Sequence, residues 1–114
     1  MTIYRRAWKM HLREGAEEEY DAAHAAIWPD LAEQMVADGV WRFHLFRSGL
    51  TIFALQERCR PFPGEDAKPS ELTAKWWRSM APLMVTDATG RPSRTVLKEV
   101  FTLDAEPGQK ERTV

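Results

Sequence analysis

The sequence predicts an α+β fold in which one antiparallel sheet carries helices on one face. Four stretches alternate apolar with polar residues at the period of a β-strand, and helical regions separate the first from the second and the third from the fourth. The second and third stretches are joined by only two residues, Ser48 and Gly49, as in a β-hairpin. The predicted order of elements is therefore βαββαβ.

The N-terminal half begins with a predicted strand over residues 3–12, where large apolar side chains such as Trp8 alternate with charged ones. Alanine and glutamate are frequent in the next segment, "AEEEYDAAHAA", and its early acidic residues complement the positive end of a helix dipole. Pro29 disfavours helical geometry at Trp28 and suits the first turn of a helix. We therefore expect a break there and a second helical piece that ends near Gly39.

In the C-terminal half, the hairpin strands are predicted over 40–47 and 50–58. The next segment, "CRPFPGEDAKP", contains three prolines and a glycine and is expected to be a loop. Ser70 then provides an N-cap for a helix over 71–84, and a final strand is predicted over 94–103.

This order matches the ferredoxin-like sandwich, in which two helices cover one face of an antiparallel sheet. The other face must then be covered by a partner or line a pocket. Judged by odd and even positions, Trp41, Phe43 and Phe53 share one strand phase and Phe46 has the other, so neither face is expected to be simply solvated. We therefore expect two copies to pack face to face as a homodimer of the dimeric α+β barrel type.

Composition limits the classes of function. Of the 114 residues 44% are hydrophobic, which suits a single domain; we expect it over 1–104, followed by a polar tail over 105–114. Sixteen basic against seventeen acidic residues give a net charge of −1. This balance does not favour nucleic acid or an anionic membrane as a partner.

The sequence also lacks the motifs of cofactor chemistry. It contains no glycine-rich phosphate loop, nucleophile elbow or helical pair of histidines, so we expect neither a metal nor a cofactor. The single cysteine, Cys59, cannot form an internal disulfide, and charged residues interrupt the N-terminal segment before a signal peptide or a spanning helix could form. A cytoplasmic location is therefore expected.

Two polar aromatic side chains form the candidate catalytic group. Tyr20 and His24 are four residues apart in the first helix, which places both rings on one helix face. The ordinary pKa of histidine, ~6.5, suits proton transfer near cellular pH. A lone histidine is more often solvated or satisfied in the core than catalytic, and His11 and His44 are interpreted in that way. Arg47, beside the hairpin turn, is interpreted as a solvated charge at a strand end.

The adjacent tryptophans of the second helical region must point in different directions, because neighbouring helical side chains diverge by roughly 100°. Trp76 lies on an apolar stripe with Met80, as is typical of the core face of a helix. Trp77 lies off this stripe and must meet the domain edge, a partner or a ligand. Since indole faces stack well on the C–H face of a sugar, a sugar site and a dimer contact are the two alternatives.

Three stretches together resemble the L-rhamnose mutarotase family. They are "EEEYDAAHAAIWPDL" (17–31), "KWWRSM" (75–80) and "EVFTL" (99–103). The resemblance covers about residues 3–103. It implies a ferredoxin-like dimer that interconverts the α and β anomers of a 6-deoxy aldose by ring opening, with general acid/base catalysis and without a metal or redox partner.

The resemblance also implies roles for particular residues. His24 would be the catalytic acid, Tyr20 would contact the sugar, and Trp76 and Trp77 would form walls of the pocket. Phe43 stands where the family usually has a tyrosine, so the ring is kept and the hydroxyl is lost. The family's asparagine-rich loop before the last strand is replaced by "TDATGRPSR". Both departures concern the identity of the sugar more than the class of reaction.

Three alternatives to an L-rhamnose mutarotase stay open from the sequence. The first is a mutarotase for another aldose such as L-fucose. The second is a cofactor-free oxygenase or a small ligand-binding protein of the dimeric ferredoxin-like type, in which aromatic residues and one histidine also line a cavity. The third is a structural interaction domain, which would show no saturable effect of sugars.

Overall fold

The computed structural model describes residues 2–105. Its elements in chain order are β1 (Tyr4–His11), α1 (Glu17–Ala25), α2 (Pro29–Ala37), β2 (Val40–Ser48), β3 (Thr51–Arg58), α3 (Glu71–Met80) and β4 (Thr95–Leu97). The strands form one antiparallel sheet in the order β2-β3-β1-β4. The predicted α+β fold with ferredoxin-like βαββαβ order is confirmed, and the predicted tail lies outside the described residues except for its first residue.

The first helical region is broken where the sequence predicts. Trp28 has an extended backbone, with φ −62° and ψ 125°, and Pro29 occupies the first turn of α2. Proline disfavours helical geometry at the preceding residue and fits a helix start, where its missing N–H needs no partner. The break ends α1 one residue after His24 and brings Trp28 back towards the same side.

The hairpin register determines which side chains face the helices. Ser48 pairs with Thr51, so the turn consists of Gly49 and Leu50, and Gly49 has a φ of 59°, which glycine adopts without strain. Since strand side chains alternate between faces, the face towards the helices carries every second residue. On β1, β3 and β2 these include Trp8, Met10, Ile52, Ala54, Gln56, Phe43 and Leu45.

The face of the sheet away from the helices carries a pair of phenylalanines. Phe46 lies directly opposite Phe53, and their exposed fractions are 59% and 39%. The prediction that Phe53 shares a phase with Phe43 is wrong, because the two-residue turn pairs odd-numbered positions of one strand with even-numbered positions of the other. Trp41 sits at an irregularity in the register between Val40 and Arg42. An apolar surface therefore remains on this face.

The core lies between the sheet and the helices, at the hairpin end of the sheet. Tyr20 reaches it from α1, and Met80 reaches it from α3. Trp76 packs against its margin, one turn of α3 before Met80, which confirms the predicted apolar stripe. The fully or largely buried members are Leu12, Ala16, Tyr20, Ile52, Met80, Leu83 and Met84.

Helix α3 begins as predicted and ends earlier. The Ser70 hydroxyl accepts a hydrogen bond from the backbone N–H of Thr73 at 3.1 Å, which is the expected N-cap. The same hydroxyl donates to Gln34 Oε1 at 3.0 Å, which ties the start of α3 to α2. The α-helix stops at Met80 instead of residue 84, because a 3₁₀ turn over Ala81–Leu83 contains a proline.

The last strand is much shorter than the predicted 94–103. Only Thr95–Leu97 pairs with β1, opposite Ala7–Lys9. After Leu97 the chain follows β1 through side chains, since Arg5 donates to Glu99 Oε1 at 3.1 Å and to Thr102 Oγ1 at 3.3 Å. The apolar residues of this segment, Val100, Phe101 and Leu103, are largely exposed.

Candidate active site

Four aromatic rings meet where α1 ends and α3 passes. The rings of Tyr20 and His24 are 4.1 Å apart between centroids. The indole of Trp76 meets His24 edge-on at 5.3 Å and meets Trp28 edge-on at 4.9 Å. The spacing of four residues on α1 therefore does bring Tyr20 and His24 together, and Trp76 joins them from the other helix.

The hydrogen bond of His24 fixes which ring nitrogen can act on a ligand. Nδ1 lies 2.9 Å from the backbone oxygen of Tyr20, one turn earlier in α1. A carbonyl oxygen only accepts, so Nδ1 carries the proton and donates it. In the neutral ring Nε2 then has a free lone pair, which can accept a proton and later return it.

Burial perturbs the two titratable groups of the cluster in opposite directions. It lowers the pKa of His24 below its ordinary 6.5, although the bond to the Tyr20 carbonyl and the Asp21 charge act to raise it. It raises the pKa of Tyr20 to about 12, with a further contribution from Asp21. Near neutral pH His24 is therefore mainly the free base, and the Tyr20 hydroxyl keeps its proton and can donate a hydrogen bond.

A cavity of about 180 Å³ opens beside this cluster, between α1 and the hairpin. Its walls include Tyr20 and His24 together with an ion pair that the sequence analysis missed. Arg47 donates to both carboxylate oxygens of Asp21, at 2.8 and 2.6 Å, and to the backbone oxygen of Gly49 at 3.0 Å. Arg47 is thus more than a solvated strand-end charge: it holds α1 to the hairpin turn at the rim of the cavity.

A second recess of about 240 Å³ lies over β1 and β4. Its polar walls include Arg5, Lys98 and Glu99, and it contains none of the candidate residues. We place the site at the smaller cavity because His24, whose Nε2 is left to exchange a proton with a ligand, lines it. Within residues 2–105, no three His, Cys, Asp or Glu side chains are grouped so as to hold a metal ion.

Phe43 and Trp77 lie outside the four-ring cluster. Phe43 contacts Trp8 at 5.8 Å between ring centroids, on the helix-facing side of the sheet and two residues from Leu45, which lines the cavity. Trp77 lies off the core stripe, as the helix geometry predicts, and the guanidinium of Arg91 stands 5.0 Å from its ring centroid.

Trp28 belongs to the cluster although the sequence analysis treats it only as the residue before a proline. A signal for its role was available, because Trp28 is four residues after His24. The extended backbone at Trp28 interrupts the helical spacing, however. Its contact with Trp76 therefore depends on how the chain turns at Pro29, which helical periodicity does not describe.

Comparison with known proteins gives a consistent result. A family model described as L-rhamnose mutarotase matches residues 5–103. The chain is similar to the L-rhamnose mutarotases of Bacillus subtilis, with 36% identity, and Bacteroides thetaiotaomicron, with 35% identity. Each alignment covers 88% of this chain and 98% of the relative.

The fold agrees with a solved member as well. The crystal structure of an L-rhamnose mutarotase from Formosa agariphila superposes with a TM-score of 0.78 at 30% identity, over 89% of this chain and 99% of that one. Sequence and structure thus match the same family across nearly the whole described chain. The chain belongs to the L-rhamnose mutarotase family.

Proposed function

We propose that this protein is an L-rhamnose mutarotase, an isomerase that interconverts the α and β anomers of the free sugar. The observation that carries the proposal is the arrangement of His24: its Nδ1 is committed to the Tyr20 carbonyl, its Nε2 is left for a ligand, and the ring lines a cavity walled by aromatic and polar groups. Such a site can transfer protons while holding an apolar face of a sugar.

Mutarotation requires one proton to move between two oxygens that are bonded to the same carbon. In the proposed mechanism, Nε2 of His24 takes the proton of the anomeric hydroxyl as the C–O bond to the ring oxygen breaks and the carbonyl forms. The imidazolium then gives the proton to the ring oxygen, which is the acid role that the family resemblance implies. After rotation of the carbonyl the steps reverse on its other face, so no proton is gained or lost overall.

The other cluster residues support this chemistry without exchanging protons. The hydroxyl of Tyr20, with a pKa of about 12, stays protonated and would donate a hydrogen bond to a sugar oxygen. Trp76 would offer an apolar surface and keeps His24 in place by its edge-on contact. General acid/base catalysis of this kind contributes roughly 10²–10⁴-fold, which is useful for a reaction that already proceeds slowly in water.

The experiment is saturation-transfer NMR on equilibrated L-rhamnose. Addition of the protein should transfer saturation between the two anomeric proton signals at a rate proportional to protein concentration. A rate that never exceeds the uncatalysed exchange, for L-rhamnose and for a panel of other aldoses, would contradict the proposal.

A second sugar is favoured by one specific residue. Phe43 lacks the hydroxyl of the tyrosine that the family usually has, so L-fucose or another deoxy aldose is the alternative substrate. The same panel distinguishes these substrates by the ratio of kcat/KM between sugars. Family membership gives the oxygenase, ligand-binding and purely structural alternatives less support than the mutarotase.

The proposal includes a homodimer that acts in the cytoplasm. The exposed Phe46–Phe53 pair forms an apolar surface on the open face of the sheet, where a second copy could pack. None of the helices within residues 2–105 combines the length and hydropathy of a membrane-spanning segment.

A further inference from the structure

Gln56 stands out in the sheet because it is a polar residue in a buried position. Its exposed fraction is 8%. Among residues 2–105 it is the one polar or charged residue that is buried. It lies on the helix-facing side of β3, two residues beyond Ala54, which pairs with Trp8 and Leu45. At about 3.3 Å per residue, this places Gln56 about 7 Å along the strand from Ala54.

The amide orientation of Gln56 is set by Arg58. Nη1 of Arg58 donates to Oε1 of Gln56 at 3.3 Å, and a guanidinium can only donate, so the oxygen faces Arg58 and Nε2 faces away. Arg58 is itself held, because its Nη2 donates to the backbone oxygen of Asp38 at 2.8 Å. The amide is therefore anchored at one end by a fixed neighbour.

The nitrogen of the same amide has no such anchor. Within residues 2–105 no hydrogen bond from Nε2 of Gln56 to another residue is formed, yet no buried side-chain N or O atom lacks a partner. Nε2 is therefore not completely covered, although the residue as a whole is 8% exposed. An amide in this position has two N–H donors available to a ligand on the helix-facing side of the sheet.

Gln56 is also the direct cross-strand partner of Phe43. Directly opposed side chains have Cβ atoms about 4.5–5.5 Å apart and share one face of the sheet. The family resemblance implies that Phe43 stands where a tyrosine is usual, so that this chain lacks a hydroxyl there. A polar group lost from β2 is thus matched by a polar group on the adjacent strand.

We propose that Gln56 is a specificity-determining residue that binds the sugar: its Nε2 donates a hydrogen bond to a sugar hydroxyl, in place of the hydroxyl that Phe43 lacks. The inference rests on the proposed mutarotase function and extends its substrate site beyond the cavity that His24 lines, along β2 and β3 to the Phe43–Gln56 pair. A donor held at a fixed point selects sugars that present a hydroxyl there and disfavours those that do not. Arg58 acts as its positioning residue.

The test compares Gln56→Met, which keeps the length and removes the amide, with Gln56→Glu, which keeps the acceptor for Arg58 and removes both donors. We expect KM for the preferred sugar to rise roughly three- to tenfold in each variant, the loss of one neutral hydrogen bond, with kcat changed less than about twofold. Phe43→Tyr added to Gln56→Met should restore at least half of the loss and shift the order of preference among the aldoses.

Two controls accompany these variants: the unfolding of each variant in urea and the activity of the parent protein. Urea unfolding identifies any variant that fails to fold, and Gln56→Glu decides the result if Gln56→Met is unstable. Folded variants that retain KM values within about twofold of the parent for every sugar would overturn the role of Gln56 alone. A parent that accelerates no anomer exchange would overturn the proposed function, and the role of Gln56 with it.

Discussion

His24 is held in one chemical state by the residues around it. Its Nδ1 donates to the Tyr20 carbonyl, and its ring contacts both Tyr20 and Trp76. These contacts fix the tautomer and the orientation of the ring, and burial favours the neutral form. In the proposed mechanism the neutral ring therefore accepts a proton first and donates it second.

The lowered pKa of His24 predicts the pH dependence of catalysis. Since the proposed mechanism requires the neutral ring in the free enzyme, kcat/KM should be constant at neutral pH and fall only as pH drops through a midpoint below 6.5. The measurement is enzymatic anomer exchange between pH 5 and 8 after subtraction of the uncatalysed rate. A midpoint above 6.5, or a rise in rate at acid pH, would contradict the assignment of the resting base.

The lowered pKa of His24 also makes the free energy of unfolding depend on pH. Because the folded state disfavours the protonated ring, the unfolded chain binds more protons in the pH window just below 6.5. The contribution of His24 to stability is therefore present above that window and is lost as pH falls through it. The direction is opposite to that of a histidine that gains an ion-pair partner on folding.

At the level of elements, α3 carries two tryptophans with different surroundings. Trp76 packs against the core and contacts His24, whereas Trp77 lies off the stripe beside Arg91. Trp76→Ala should therefore destabilise the fold by about 3 kcal/mol, as for other large-to-small core changes, and should also impair catalysis.

Because the family resemblance implies that Trp77 forms a wall of the sugar pocket, Trp77→Ala should affect sugar handling more than folding. We expect the free energy of unfolding, measured in urea, to fall by about 1 kcal/mol or less, while KM for the sugar clearly rises. Trp76→Ala and Trp77→Ala serve as controls for each other, because both remove an indole from the same helix. If Trp77→Ala lost stability and kept normal mutarotase kinetics, Trp77 would belong to the dimer interface instead of the sugar site.

The start of α3 depends on a single side chain. Ser70 accepts from the Thr73 N–H and donates to Gln34, which links the cap to α2. Ser70→Ala should cost about 1 kcal/mol of unfolding free energy, the usual value of an N-cap. Ser79→Ala is the matched control, because Ser79 donates to the Trp76 carbonyl within the helix and caps nothing. Equal effects of the two changes would contradict the role of the cap.

At the level of the whole molecule, a monomer would expose apolar side chains to water on the face of the sheet away from the helices. Phe46 and Phe53 are exposed there as a cross-strand pair. If two copies pack through this face, Phe46→Lys should shift the protein from dimer to monomer in sedimentation equilibrium. Val36→Lys, on the surface of α2, is the control and should leave the mass unchanged. A parent protein that sediments as a monomer would exclude the proposed dimer.

The sequence predicted the features that depend on neighbouring residues and missed those that depend on residues far apart in the chain. Pro29 and Ser70 act on their immediate neighbours, so the helix break and the cap were both predictable. The face on which Phe53 lies depends on the register of the hairpin. Counting odd and even positions along the sequence therefore placed Phe53 on the wrong face. The partnership of Arg47 with Asp21 joins residues 26 positions apart, which no spacing rule describes. Tyr20 and His24 were found because both lie within one helix.

In the proposed function, His24 carries the proton in anomer exchange. The most direct test is saturation-transfer NMR on the sugar that the parent turns over best, with His24→Ala and the exposed His11→Ala compared at equal concentrations of folded protein. We expect parent-like exchange for His11→Ala and a loss of roughly 10²-fold or more for His24→Ala. Equal enzymatic rates for the parent and His24→Ala would contradict it.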